Sequence, residues 1–371
     1  MSLDDWLAAE ATTRDAAGLT RALVPRPPST DLLDLAGNDY LGLMCDPRVT
    51  AAAAEAALRW GAGAGASRLV TGTLSLHAEL ESELAAFTGQ PAALVFSTGY
   101  HANLGAVTAL TDRDTLIVSD QHVHASLVDA CRLSRATCTV VGHGDVDALS
   151  RALAGRTQPR ALVLAESIYS VLGDAAPLLD LADVCRRHDA TLLVDEAHGV
   201  GVAGGGRGLV HGLGLAGRSD VIVTMTLSKA LGSQGGAVLG SRAVVEHLVN
   251  RARPFIFDTG LAPAATAGAL AALRIIAADP GRADRVNHVA RTLAAAVGVA
   301  APAGAVMSVP MPGPHETLTA QAACAAEGIC VGAFRPPSVP DGISRLRLTA
   351  SAAIDDLQLA RATTVLRAVT T

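Results

Sequence analysis

The middle of the chain alternates short apolar runs with amphipathic stretches of helical length, and this alternation constrains the fold more than any other feature. Strand-like runs are Ala92–Ser97, Thr115–Ser119, Thr137–Val141, Ala161–Ala165, Thr191–Val194 and Val221–Met225. Beside and between them lie Leu76–Phe87, Ala125–Leu133, Val146–Leu153 and Leu178–Arg187, each with helical spacing. The pattern predicts an α/β fold: a large domain with a mostly parallel sheet flanked by helices. Ligands of such sheets bind beyond the carboxyl ends of the strands. The flanks differ. An N-terminal arm over 1–40 holds a short helix and a Pro-rich turn, and the large domain spans 41–262. Residues 263–371 open on an Ala-rich helix reaching about Ala278, pass through a Gly/Pro-rich loop at Pro302–Pro314, and end in an α/β segment. Arm and C-terminal part together form a smaller α/β domain in this reading.

Composition removes several classes of function. Half of the 371 residues are hydrophobic and 17% are charged, enough apolar surface for a sizeable core. No apolar run approaches the about 20 residues that a membrane span needs. The formal net charge is −6 with no basic block, which argues against nucleic acid or a membrane surface as partner. The acidic start Met-Ser-Leu-Asp-Asp lacks a secretory pattern, and the six cysteines show no C-x-x-C spacing. Both features predict a cytoplasmic protein with reduced thiols.

Lys229 is the only lysine among 29 basic residues. Where arginine has replaced every other lysine, the survivor marks chemistry that a guanidinium cannot do. An amine can deprotonate and form a Schiff base; arginine stays protonated. Lys229 sits in Thr226-Leu-Ser-Lys-Ala-Leu-Gly-Ser-Gln-Gly-Gly236, just after a predicted strand, among small residues that let a flat ligand approach. Upstream, Leu192-Leu-Val-Asp-Glu-Ala-His-Gly199 ends a strand in Asp195, a carboxylate suited to a cationic ring nitrogen, with His198 three residues on. A helix cap or a metal ligand remains an alternative for Asp195. Phe96-Ser-Thr-Gly-Tyr-His-Ala-Asn103 reads as strand, small-residue turn and helix start, a phosphate cradle or ordinary turn chemistry. In Ser119-Asp-Gln-His-Val-His-Ala-Ser126, His122 and His124 form H-x-H, but no further ligand completes a metal site. His124 either packs on a planar cofactor or simply opens a helix. Gly199-Val-Gly-Val-Ala-Gly204 matches a dinucleotide fingerprint yet lacks the helix start that motif requires.

Taken in order, these clusters resemble the α-oxoamine synthases among the fold-type I pyridoxal-phosphate enzymes. The resemblance rests on Thr226-x-x-Lys229-x-x-Gly232-x-x-Gly235, Gly37-Asn-Asp-Tyr-Leu-Gly-Leu43, Gly63 to Thr73, His124-Ala-Ser-Leu127, Glu166-Ser-Ile-Tyr-Ser170 with Gly173-Asp174, and Val194-Asp-Glu-Ala-His-Gly199. It covers nearly the whole chain. Ser67 to Thr73, Arg335-Pro-Pro-Ser-Val-Pro340 and Arg345-Leu-Arg347 are similar to the alanine-using branch, which joins L-alanine to a pimeloyl thioester. Glycine-using members of the family are the alternative. The chain departs from the family pattern between about Val297 and His315, where it is shortened.

The resemblance implies pyridoxal 5'-phosphate as cofactor and a homodimer with shared active sites. Lys229 would hold the cofactor as a Schiff base, Asp195 would pair with the pyridinium nitrogen, His198 would bond the ring's phenolic oxygen, and His124 would stack on the ring. Thr98, Gly99, Tyr100 and Thr226 would line the phosphate site, Thr259 would reach the phosphate of the partner subunit, and Ser170 would contact cofactor or substrate. Arg335 would take the amino-acid carboxylate, with Arg21 and Asn38 near the substrate.

Overall fold

The computed structural model describes residues 1–370. The chain opens with helix α1 (Leu3–Ala16), where Ser2 Oγ accepts from Asp5 N and Asp5 Oδ2 accepts from Ser2 N, a reciprocal cap. No residue of α1 is buried. Strand β1 (Leu33–Asp34) follows, then helices α2 (Pro47–Trp60) and α3 (Ser75–Thr88). The alternating region comprises β2 (Ala92–Phe96), α4 (Gly99–Leu110), β3 (Thr115–Asp120), α5 (Ala125–Ser134), β4 (Thr137–Val141), α6 (Val146–Ala154), β5 (Arg160–Glu166), α7 (Leu178–Arg187), β6 (Thr191–Asp195) and β7 (Val221–Thr226). Each apolar run of the sequence is a strand; five of the six are buried and need no polar alternation, whereas Thr137–Val141 is the exposed edge strand β4. In β5, Leu162 and Leu164 enter the core beneath α4 and α5, while Ala161, Val163 and Ala165 enter the core on the other face.

An eighth strand was not legible in the sequence. Strand β8 (Gly236–Gly240) inserts between β2 and β7 and pairs antiparallel with both, giving a seven-stranded sheet in the order β2-β8-β7-β6-β5-β3-β4. Its glycine ends read as turn. They are required by crowding: a Cβ on Gly236 would lie 2.5 Å from the backbone of Gly99.

The expected loop at Pro302–Pro314 is corrected as well. It contains strand β9 (Val306–Pro310), buried at Val306, Met307 and Val309, and hidden in the sequence by flanking Gly and Pro. Strands β10 (Ile329–Cys330), β11 (Gly332–Phe334) and β12 (Arg345–Thr349) complete the set, with β12 between β9 and β11. The two chain ends meet through β1 and β10, which pair in parallel, and through Leu35, whose carbonyl accepts from Thr349 N. The Ala-rich helix Pro263–Ala278 packs on α2 and α3. No helix of the described residues is long and apolar enough to cross a membrane.

The contact at Gly236 predicts a large effect from one methyl group. Gly236→Ala should lower stability by about 1–3 kcal/mol through overpacking against backbone that cannot move aside. Gly155→Ala meets only ordinary contacts at 3.5 Å and should stay within about 0.5 kcal/mol of wild type. Thermal unfolding of the two variants side by side checks this.

Candidate active site

Every strand that feeds the site delivers its residue from the carboxyl end. β2 leads to Thr98 and Gly99, β3 to His124, β5 to Ser170, β6 to Asp195 and His198, and β7 to Thr226 and Lys229. They meet around a cavity of about 240 Å³ lined by Thr98, Gly99, Tyr100, His124, Asp195, His198, Thr226 and Lys229, with Asn103, Ser126 and Glu166. A wider cleft of about 650 Å³ opens beside it and shares His124, His198 and Lys229. Asn38, Ser170, Phe334 and Arg347 line this second space.

Lys229 Nζ lies 2.8 Å from His198 Nε2, and His198 Nδ1 lies 2.8 Å from the Tyr40 hydroxyl. Tyr40 in turn donates to Asn38 Oδ1 at 3.0 Å. Both ring nitrogens of His198 are therefore engaged, Nδ1 by Tyr40 and Nε2 by Lys229. Burial pushes the Lys229 amine down to about 8, outweighing the attraction of Asp195 and Glu166. The same burial, helped by Lys229 and Arg347, holds His198 well below the usual imidazole range. The pair is thus a neutral imidazole against a readily deprotonated amine.

Asp195 is buried, and both its oxygens are engaged: Oδ1 by Ala197 N at 2.9 Å and Oδ2 by Asn103 Nδ2 at 2.8 Å. Asn103 also donates to Ser126 Oγ at 2.8 Å, and Ser126 Oγ lies 2.8 Å from His124 Nδ1. One relay therefore orients the carboxylate and the histidine together. Asn103 and Ser126 stood inside sequence clusters but carried no signal of this role, since the contact spans 92 residues. Glu166 was also unassigned. It is fully buried and pushed up to about 8, first by burial and then by Asp195 beside it.

The phosphate-cradle residues sit where α4 begins. Thr98 caps that helix by accepting from His101 N, and Thr226 Oγ1 donates to the Gly235 carbonyl. A Cβ on Gly99 would come 3.0 Å from Thr226 Cβ, so the backbone turn needs glycine there. The Tyr100 hydroxyl donates to Asp129, leaving the ring edge at the cavity, 6.5 Å from the His124 ring. His122 turns away from His124 and stacks on His143.

Three residues of the expected set line neither cavity of this chain. Arg335 donates to the carbonyls of Gly18 and Thr20, so its guanidinium holds the N-terminal arm, and it lines neither cavity. Arg21 is exposed and donates to Ser338 Oγ at 2.9 Å. Thr259 is exposed, bridged to Ser67, and lines neither cavity of its own chain. The guanidinium that does face the cleft is Arg347. Its Nε donates to the Ser170 carbonyl at 2.8 Å, its two terminal nitrogens lie 3.4 Å from Asn38 Oδ1, and it lies over the Phe334 ring. The motif around Arg347 was visible in the sequence, but nothing there separated it from Arg335 or Arg345.

The pocket suits a flat, phosphorylated cofactor. Asn103 Oδ1 and Glu166 Oε1 are buried without partners beside it. The α4 N-terminus, the Lys229 amine and the fixed Asp195 carboxylate all border it. The family comparison agrees with this geometry. The chain belongs to the class I and II aminotransferase family, whose model matches residues 30–366. Within that class it belongs with the 8-amino-7-oxononanoate synthases, pyridoxal-phosphate-dependent acyltransferases of biotin biosynthesis. It is 56% identical over 363 residues to the 8-amino-7-oxononanoate synthase of Mycolicibacterium gilvum, covering 97% of this chain and 96% of that one. Among solved structures it is similar to a serine palmitoyltransferase of S. paucimobilis with PLP and myriocin bound, at 31% identity and TM-score 0.92, covering 98% and 96% of the two chains. The fold is shared with the 8-amino-7-oxononanoate synthase from Francisella tularensis, at 24% identity and TM-score 0.78 over 91% and 97% of the chains.

The amine leads to a direct test. In cofactor-free protein, labelling of Lys229 by a small amine-selective reagent should rise with pH around 8, roughly two units below an ordinary lysine. Because Lys229 is the only lysine, peptide mass mapping separates it from the N-terminal amine.

Proposed function

We propose that the chain condenses L-alanine with a pimeloyl thioester, releasing the thiol and carbon dioxide and giving 8-amino-7-oxononanoate. The observation that carries this reading is the convergence of a buried, easily deprotonated amine, a fixed carboxylate and a carboxylate-seeking guanidinium on two joined cavities. The identity to curated synthases along almost the whole chain supports it.

Pyridoxal phosphate, when bound, supplies an electron sink for negative charge at the α-carbon of an attached amino acid. Lys229 would anchor the cofactor and hold or move the proton at that carbon. An easily deprotonated amine suits both tasks, and burial brings Lys229 down to about 8. Asp195, fixed by Ala197 N and Asn103, would pair with the ring nitrogen. His124 would pack on the ring, and His198, held by Tyr40, would bond the phenolic oxygen. Thr98, Gly99, Tyr100 and Thr226 line the phosphate end at the start of α4. Thr259, exposed on its own chain, serves the phosphate of a second subunit in a homodimer.

The carboxylate of alanine falls to Arg347 in this reading, and Arg335 keeps the arm in place. A planar fork of donors suits a carboxylate. Arg347 already has its Nε anchored on Ser170 and its terminal nitrogens only weakly engaged by Asn38, which leaves them for a ligand. Asn38 and Ser170 then line the substrate's path, and Arg21 acts at the rim through Ser338.

An activity matrix tests the reaction. With pimeloyl-CoA, L-alanine should release free thiol at least about tenfold faster than glycine or L-serine, the scale that one side-chain contact can supply. Equal or faster release with glycine or serine would assign the chain another amino acid. The carboxylate assignment is tested by two variants. Arg347→Ala should raise the KM for L-alanine by about 10²-fold, with little rescue by Arg347→Lys, because a point charge lacks the fork. Arg335→Ala should change that KM far less. The reverse ranking would return the role to Arg335.

A further inference from the structure

Beside the cleft, outside the groups used so far, lies a histidine held by two acids. His143 follows β4 in the segment Gly142-His143-Gly144. Its Nδ1 lies 3.1 Å from Asp120 Oδ1, and its Nε2 lies 2.8 Å from Asp174 Oδ2. Ionised carboxylates only accept, and a neutral imidazole has a single N–H. Both bonds together therefore require the imidazolium. The two acids push His143 up to about 10, Asp120 most strongly. The ring is also fixed in plane. His122 stacks on it at 4.1 Å and 16°, and Tyr169 meets it edge-on at 4.3 Å and 85°.

The two carboxylates belong to different parts of the fold. Asp120 ends β3 and is itself immobilised, taking His122 N at 2.7 Å and Gly144 N at 2.8 Å. Asp174 closes the turn after β5: Tyr169 N donates to the Asp174 carbonyl, and Gly173 N donates to the Tyr169 carbonyl. Gly173 holds a positive φ of 78°, and a Cβ there would lie 1.9 Å from the Val306 carbonyl oxygen, so the turn is wedged against β9. That turn carries Ser170, whose carbonyl accepts Nε of Arg347 and whose N donates to Glu166.

We propose that His143 is a positioning residue: clamped between Asp120 and Asp174, it holds the Tyr169–Asp174 turn so that the Ser170 carbonyl aims the Arg347 guanidinium into the substrate cleft. The proposal rests on the reading of Arg347 as the holder of the substrate carboxylate. A purely structural ion pair at a partly exposed site contributes little to stability. Its value here lies in orientation, because a bidentate contact is sensitive to small rotations of the guanidinium plane.

The test uses the pyridoxal-phosphate-loaded enzyme with L-alanine and pimeloyl-CoA. His143→Gln removes the charge and one of the two bonds. Asp174→Asn weakens the same clamp from its half-exposed side. Either variant should raise the KM for L-alanine by about tenfold, change kcat less than about threefold, and leave the cofactor absorbance unchanged. In an Arg347→Ala background, His143→Gln should add less than about twofold. If His143→Gln raises KM equally in both backgrounds, the clamp does not act through Arg347. A lowered Tm with unchanged KM, or equal losses in kcat and cofactor content, would make the contact structural only. Should His143→Gln fail to fold, Asp174→Asn carries the same comparison. An Arg347→Ala enzyme with unchanged KM would instead overturn the carboxylate assignment on its own, whatever His143 does.

Discussion

The site depends on keeping one amine dry. A charged ammonium enclosed in a protein interior is unfavourable unless acids compensate it, and otherwise the group gives up its proton. Around Lys229 the desolvation outweighs Asp195 and Glu166, so the amine loses its proton at about 8. This constraint dictates its neighbours. A cationic histidine at 2.8 Å would raise the opposition further, and burial holds His198 neutral. A neutral His198 needs partners for both nitrogens, and Tyr40 supplies the second. Tyr40 is fully buried, its own hydroxyl pushed up to about 12 by burial, so it stays a phenol throughout. The chain start must therefore return to the sheet edge, and it does so through backbone bonds that tie Leu35 to Thr349 and Tyr40 to Ala352.

Two polar relays then divide the labour between cofactor and substrate. One runs from Asp195 through Asn103 and Ser126 to His124. Each charge-assisted bond of that kind contributes about 1.5–3 kcal/mol, and breaking one leaves a buried carboxylate short of a donor. The other runs from Asp120 through His143 and Asp174 to the Ser170 turn and on to Arg347. The first is buried from Asp195 through Asn103 to Ser126 and reaches the cavity at His124. The second reaches solvent at Asp174 and joins the central sheet to strands from the far end of the chain. In the proposed reading, cofactor orientation belongs to the sheet, and substrate orientation to the contact between the sheet and the chain ends.

Much of the sheet was legible because buried parallel strands such as Thr115–Asp120 show as unbroken apolar runs; the exposed edge strand Thr137–Val141 and the helix Leu178–Arg187 also match their elements end to end. The strands that escaped were those whose composition serves packing. Gly236–Gly240 is bounded by glycines because it passes against the Gly99 turn, and Val306–Pro310 is a short strand bracketed by Gly and Pro. In the site, Lys229, Asp195, His198 and His124 were visible because each stands just past a strand end, where the topology brings all strand ends to one edge. Asn103, Ser126, Glu166 and Tyr40 were not, because a bond between residues 92 or 158 positions apart leaves no local pattern.

By itself the sequence determined the α/β architecture, the edge at which chemistry gathers and the unique amine there, since periodicity and residue type are local properties. Only the tertiary structure decided between the arginines. Arg335, Arg345 and Arg347 lie within 13 residues and share the same chemistry. Arg335 meets the carbonyls of Gly18 and Thr20, Arg345 pairs with Asp341, and Arg347 meets Ser170 and Asn38 beside Lys229. Arg345 and Arg347 stand two apart in β12 and so share a face, but Arg345 meets the nearby Asp341 while Arg347 meets Ser170 and Asn38 from distant segments. Such long-range pairing is a matter of packing, which no spacing within the chain encodes.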